Sequence, residues 1–159
     1  MRVARRDAGS SGRLTNVSDA HEAIRNLLGR YCESMDAGDF DALAALFADA
    51  QLSDEHGNVF ATGSEEVAAM WHAQTILYDG SPRTRHVTAN PIIDVDETAG
   101  TATVRSSYVV FQGTEDLALQ PIVTGRYVDR FVRRADGSWA WAERSYAIDH
   151  AGDLSHHLR

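Results

Sequence analysis

Tyr31-Cys-Glu-Ser-Met-Asp36-Ala-Gly38-Asp-Phe-Asp-Ala-Leu43 decides the fold. It reads as the end of one amphipathic helix, a glycine stop and the start of a second helix. Upstream, Ile24, Leu27, Leu28, Tyr31, Cys32 and Met35 recur at i, i+3, i+4, i+7, i+8 and i+11, one apolar stripe at helical period. Asp19 stands where this helix needs an N-cap, with Glu22 as the return half of a capping box. Gly38 supplies the left-handed residue that ends it. Asp39 then caps a short helix that puts Phe40, Leu43, Leu46 and Phe47 on one face.

Beyond this stretch, Ala50 to Asp54 and Val59 to Thr62 read as short strands around the turn His56-Gly57-Asn58. A third helix starts at Ser64, with Glu65 and Glu66 in its first turn and Val67, Met70 and Trp71 on one side. From Thr84 the pattern is β: strands over 84–94, 101–112, 119–133 and 139–148, with an Asp136-Gly137 hairpin before the last. Helices followed by long strands predict an α+β domain, its helices packed in a curved, mostly antiparallel sheet. Such a cone has a natural cavity at its mouth. The expected organisation is a disordered arm over 1–17, one domain over 18–150, and a polar tail over 151–159 in which Leu154 and Leu158 can anchor.

The bulk properties exclude some functions. A net charge of −8 repels the phosphates of nucleic acid and of anionic membranes, so neither is an expected partner. Cys32 is the single cysteine, so no intrachain disulfide can form, and a reducing cytoplasm is the expected compartment. No apolar run approaches the ~18 residues of a membrane span. Neither a HExxH nor a CxxC zinc pattern occurs, nor a P-loop, GxGxxG or GxSxG, so no metal or nucleotide cofactor is implied. His156 and His157 are adjacent in the tail, a poor ligand spacing, and read as solvated.

Asp36 is the residue that the helical pattern does not require. An acid in the last turn of a helix opposes the macrodipole, so it is either solvated or held for a reason. His86 is the lone histidine of a strand, and shares a face with Thr88 and Asn90 by period two. That face is either solvent or cavity. In a cavity, a histidine is well placed for proton transfer near neutral pH, and a carboxylate orients its ring and stabilises the imidazolium. Asp36 and His86 are therefore the candidate acid–base pair. Tyr31, on the apolar stripe, is either a core tyrosine or a phenol aimed at a substrate oxygen. Arg126, Tyr127, Asp129 and Arg130 lie on one strand, where cross-strand ion pairs can absorb the charges; Tyr127, Asp129 and Phe131 share one of its faces, and Arg144, Tyr146 and Ile148 share a face of the last strand. An arginine grouped with Tyr and Ile is expected to look into the cavity and hold an anionic group. Tyr31, Arg144, Tyr108 and Asp129 form the expected substrate-binding set.

The opening stretch with Leu46-Phe-Ala-Asp49, and Gly125-Arg-Tyr-Val-Asp-Arg-Phe131 with Asp136-Gly-Ser-Trp139 and Glu143-Arg144, resembles the SnoaL-like proteins of the nuclear transport factor two superfamily. The resemblance covers about residues 19 to 150. It implies a cone of three helices in a curved sheet, commonly dimeric, with a deep cavity and in many members no cofactor. Tyr31 is similar to the first-helix tyrosine of ketosteroid isomerase and the bile-acid dehydratase. Asp36 resembles the aspartate that pairs with histidine in the dehydratases and the dehydrochlorinase, and Arg83-Thr-Arg-His86 the segment carrying that histidine. Arg144 resembles the late arginine of the dehydrochlorinase and bile-acid branch. Asp129 lies near the isomerase's oxyanion-side acid, and Asp54 near its base. The second catalytic histidine of scytalone dehydratase has no counterpart, since that strand reads Val123-Thr-Gly-Arg126.

The expectation is a cofactor-independent acid–base lyase or isomerase of dehydratase, isomerase or cyclase type, acting as a homodimer or higher homo-oligomer on a small hydrophobic cyclic or polyketide- or steroid-like molecule. The alternative is a non-catalytic binding or assembly module with the same fold.

Overall fold

The structure is a computed structural model and describes residues 11–159. Helix α1 spans Ser11–Ala37. It begins well before Asp19, so the expected capping box lies within the helix. Residues 11–17 of the expected arm are helical, and 1–10 lie outside the described residues. No proline interrupts 13–18, and a helix once nucleated adds a hydrogen bond per residue, so α1 extends upstream of its cap signal. Its stripe of Ala20, Ile24, Leu28, Tyr31 and Met35 is buried. The stop is a Schellman turn: Gly38 at φ 75°, its N–H donating to Met35 O and that of Asp39 to Ser34 O. The Asp39 side chain accepts from Ala42 N and starts α2, Phe40–Ala45.

Strands β1 (Gln51–Asp54) and β2 (Val59–Thr62) form a hairpin, and α3 covers Gly63–Gln74. The long strands follow: β3 Thr84–Asp96, β4 Thr101–Gln112, β5 Gln120–Arg133 and β6 Trp139–Ala151. The sheet runs β2-β1-β6-β5-β4-β3, antiparallel except where β1 meets β6. This is the α+β cone that helices followed by long strands predict.

Bulges set which residues face in. In β3, Asn90 at φ 51° breaks the pairing, so the inward set passes from Thr84, His86 and Thr88 to Ile93 and Val95. Val87, on the opposite face from His86, is the exposed one. In β6 the shift comes at Ala142: Phe131 pairs with Trp141 but Arg130 with Glu143. The inward set therefore passes from Trp139 and Trp141 to Arg144 and Tyr146. Gly125 on β5 makes room for Tyr108, whose ring stacks on Tyr127 at 4.2 Å between centroids and 9° between planes.

The polar segment after β6 is a docked strap. Ile76 N donates to His157 O, Arg159 N to Gln74 O, and both Gln112 Nε2 and Tyr78 OH to His156 O. Every one of these bonds satisfies a backbone carbonyl, which is why a polar segment lies down on the sheet end.

Candidate active site

The cone encloses a cavity of about 690 Å³. Its floor and sides are Tyr31 from α1, Met70 and Trp71 from α3, His86 from β3, Tyr108 and Val110 from β4, Tyr127 from β5 and Tyr146 from β6. Leu154, His157 and Leu158 of the strap close one side, and Asp54, Glu55, His56 and Phe60 stand at the rim.

Asp36 sits in the last helical turn of α1, where Ser81 Oγ donates to its carbonyl. It is 8% exposed. Its Oδ1 is 2.7 Å from His86 Nδ1 and 2.9 Å from the donating Thr84 Oγ1; His86 N–H donates to both oxygens, at 3.1 and 3.0 Å. A carboxylate with this many donors is held, not solvated. Because Asp36 accepts from Nδ1, the neutral His86 ring carries its proton there, and Nε2 is left as the basic nitrogen of a side chain that lines the cavity. The Tyr31 ring lies edge-on to the His86 ring, 6.3 Å between centroids. Tyr31 and Asp36, on different sides of α1, thus meet the same imidazole.

Arg144 and Asp129 were expected to face the cavity, and the structure corrects this. Both are fully enclosed and neither lines the cavity. Arg144 Nε and Nη2 donate to Asp129 Oδ1 and Oδ2 at 2.6 and 3.0 Å, and Trp141 Nε1 donates to Oδ1 at 2.8 Å. The bulge at Ala142 turns Arg144 inward opposite Asp129, and the opposite charge captures it. Burial works to depress the guanidinium's pKa, but the charge of Asp129 outweighs it and holds Arg144 well above its ordinary value. Arg144 lies 4.2 Å from the Tyr31 ring centroid and 4.1 Å from that of Tyr127, so its charge sits directly behind the phenol wall.

Burial pushes the phenols of Tyr31, Tyr127 and Tyr146 well up, against the lowering pull of Arg144. They stay protonated and act as donors. The enclosed Tyr146 hydroxyl neighbours that of Tyr31, which in turn neighbours that of Tyr127. Tyr108 is pushed up to about 12, by burial first and by Asp149 second. Asp54 is committed to its turn: bonds from Asn58 above all, and from His56 N, depress its pKa. Burial raises the Cys32 thiol, which contacts Thr88 Oγ1. Among the described residues, no three His, Cys, Asp or Glu side chains are grouped to hold a metal ion. Nor is any helix there long and apolar enough to cross a membrane.

Tyr127, Tyr146, Trp71 and His157 were not singled out as site residues in the sequence. For the tyrosines the signal was present, since they share strand faces with Asp129 and Arg144. His157 had only the weak i, i+3, i+4 spacing of Leu154, His157 and Leu158. It was expected in solvent; it is 5% exposed, and burial, followed by the charge of His86, pushes it down to about 4.

Residues 16–145 match the SnoaL-like domain family. No curated protein matches the chain. Among solved structures, Rv3472, a function-unknown protein of Mycobacterium tuberculosis, is similar at 26% identity over 89% of this chain and 79% of that one, TM-score 0.70. A nuclear transport factor two-like protein with a cystatin-like fold from Novosphingobium aromaticivorans is similar at 22% identity over 96% of each chain, TM-score 0.73. A candidate scytalone dehydratase of the same organism is similar at 23% identity over 88% of this chain and 91% of that one, TM-score 0.69.

Proposed function

The chain belongs to the SnoaL-like domain family, and from that premise we propose that it is a cofactor-independent acid–base lyase or isomerase for a small, hydrophobic cyclic ketone. The observation that carries this reading is the contact of His86 Nδ1 with Asp36, which leaves Nε2 of the same ring for an aromatic-walled cavity. His86 takes the proton on the carbon beside the carbonyl. Asp36 fixes the ring and balances the imidazolium. The electron pair moves onto the carbonyl oxygen, where Tyr31 and Tyr146 donate hydrogen bonds and the enclosed Arg144 charge supports them from behind. The proton on His86 then returns to a neighbouring carbon, as an isomerase, or to a departing hydroxyl, as a dehydratase. Acid–base catalysis of this kind contributes typically 10²–10⁴-fold.

The dehydratase-like neighbour shares the fold at an identity that speaks for architecture alone. The test is therefore chemical. α-Deuterium exchange of 1-decalone in heavy water, followed by NMR, reads the first step without any leaving group. The reading expects protein-dependent exchange that His86→Gln abolishes. No exchange, or exchange that survives His86→Gln, sinks it in favour of a binding or assembly module.

A further inference from the structure

Gln112 is a fully buried amide that the acid–base reading leaves unused. It ends β4, directly across the ladder from Thr84. Its Nε2 donates to Pro82 O at 2.9 Å and to His156 O at 2.8 Å. Two carbonyls face one end of the amide, so that end is the NH2 and the orientation follows from the partners. Its Oε1 is enclosed without a partner. An amide retained with an orphaned oxygen is retained for its two donors. His156 O also accepts from the Tyr78 hydroxyl, so the bond that bears on the site is the one to Pro82 O.

Pro82 and Thr84 flank Arg83, which takes φ 57°, the left-handed region that disfavours any residue with a Cβ. Such a residue persists only where its surroundings over-determine it. Here three bonds do so: Gln112 to Pro82 O, Arg83 N to Ser81 Oγ at 3.1 Å, and Gly113 N to Arg83 O at 3.2 Å. On the far side, Thr84 Oγ1 donates to Asp36 Oδ1, the same oxygen that His86 Nδ1 meets. Thr84 is the first residue of β3, so its place follows the turn of chain before it.

We propose that Gln112 is a positioning residue for the Asp36–His86 pair: it holds Arg83 in its strained turn and thereby keeps the Thr84 hydroxyl on the carboxylate. Without the amide, Arg83 relaxes out of the left-handed region and draws Thr84 off Asp36. The carboxylate then loses one of the donors that fix it in line with the imidazole. This deepens the acid–base reading and rests on it, since position matters only where the pair moves protons.

The His86 Nδ1 proton reads this geometry without substrate. Held against a carboxylate, it gives a downfield imidazole resonance in the NMR spectrum, identified by its loss in His86→Gln. Gln112→Met keeps the bulk and removes the donors. In the folded variant the resonance should move upfield. The kcat for α-deuterium exchange of 1-decalone should fall about tenfold, as for one hydrogen bond to a charged group, with KM little changed. Arg83→Gly in the Gln112→Met background should restore part of both losses, because glycine occupies the left-handed region without strain. A residue that only packs would not be rescued in this way. Thr84→Val removes the last contact and leaves Gln112 in place, so it decides the matter even where Gln112→Met does not fold. A resonance unmoved in Thr84→Val or in folded Gln112→Met, or a loss that Arg83→Gly leaves unaltered, overturns the inference and leaves the acid–base reading standing. A wild-type protein that exchanges nothing overturns both.

Discussion

Arg144 and Asp129 form a bidentate ion pair that is shut inside the wall behind the cavity. Arg144→Met leaves Asp129 buried without its cation. Removing one partner of such a pair destabilises a fold by roughly 3–5 kcal/mol. Urea denaturation should show that loss in Arg144→Met, and Asp129→Leu in the same chain should recover much of it. An Arg144→Met protein of wild-type stability would mean that the pair is not closed in solution.

Asp36→Asn keeps the shape of the side chain and removes its charge. The amide can present one oxygen to the Thr84 and His86 donors, but it no longer stabilises an imidazolium. We expect α-exchange of 1-decalone to fall about 10²–10⁴-fold, with far-UV circular dichroism unchanged. Retained exchange would show that the carboxylate only closes the helix end.

His157 gives stability a pH dependence. Its folded pKa, about 4, is below the unfolded value of 6.5. The unfolded chain therefore binds the proton first as pH falls. The stability that neutral His157 contributes is present above pH 6.5 and is lost as pH falls from there toward 4. The size is on the order of 3 kcal/mol. His157→Phe cannot titrate, so its unfolding free energy between these limits should vary less with pH than that of the wild type. Parallel curves would exclude burial of the neutral ring.

Gly125→Ala tests the stacked tyrosines. A Cβ there would meet the Ala147 carbonyl and lie 2.7 Å from Tyr108 Cε1 and Cζ. Backbone cannot yield cheaply, so a loss of about 1–3 kcal/mol is expected from overpacking. Near-UV circular dichroism should report the displaced tyrosine pair, and an unchanged spectrum would contradict the tight fit.

The elements of this fold were legible because their signals are local. The stripe from Ile24 to Met35, the Gly38 stop, the Asp39 cap and the strand over 101–112 all depend on neighbours in the chain. The start of α1 was misplaced because Asp19 and Glu22 form a cap signal that the helix overruns. In the site, the pairing of Asp36 with His86 was legible as two residues that lacked a structural task. A cross-strand ion pair at Asp129 was legible as one alternative, but Arg144 as its partner was not, because that depends on a bulge at Ala142 that brings the two opposite each other. Nor was the burial of His157, which depends on carbonyls of α3 and on side chains of β4 that only the folded sheet presents.

Asp36 accepts hydrogen bonds from the backbone and the ring of His86 and from Thr84, so one carboxylate both seams α1 to β3 and sets the tautomer of the imidazole. For an evolving lineage this couples two traits that selection would otherwise tune apart. A change at position 36 that removes the accepting oxygens frees both the helix end and the imidazole at once. Under the proposed acid–base reading, substitutions in the strap and the aromatic walls change what the cavity can hold and leave the Asp36–His86 contact in place.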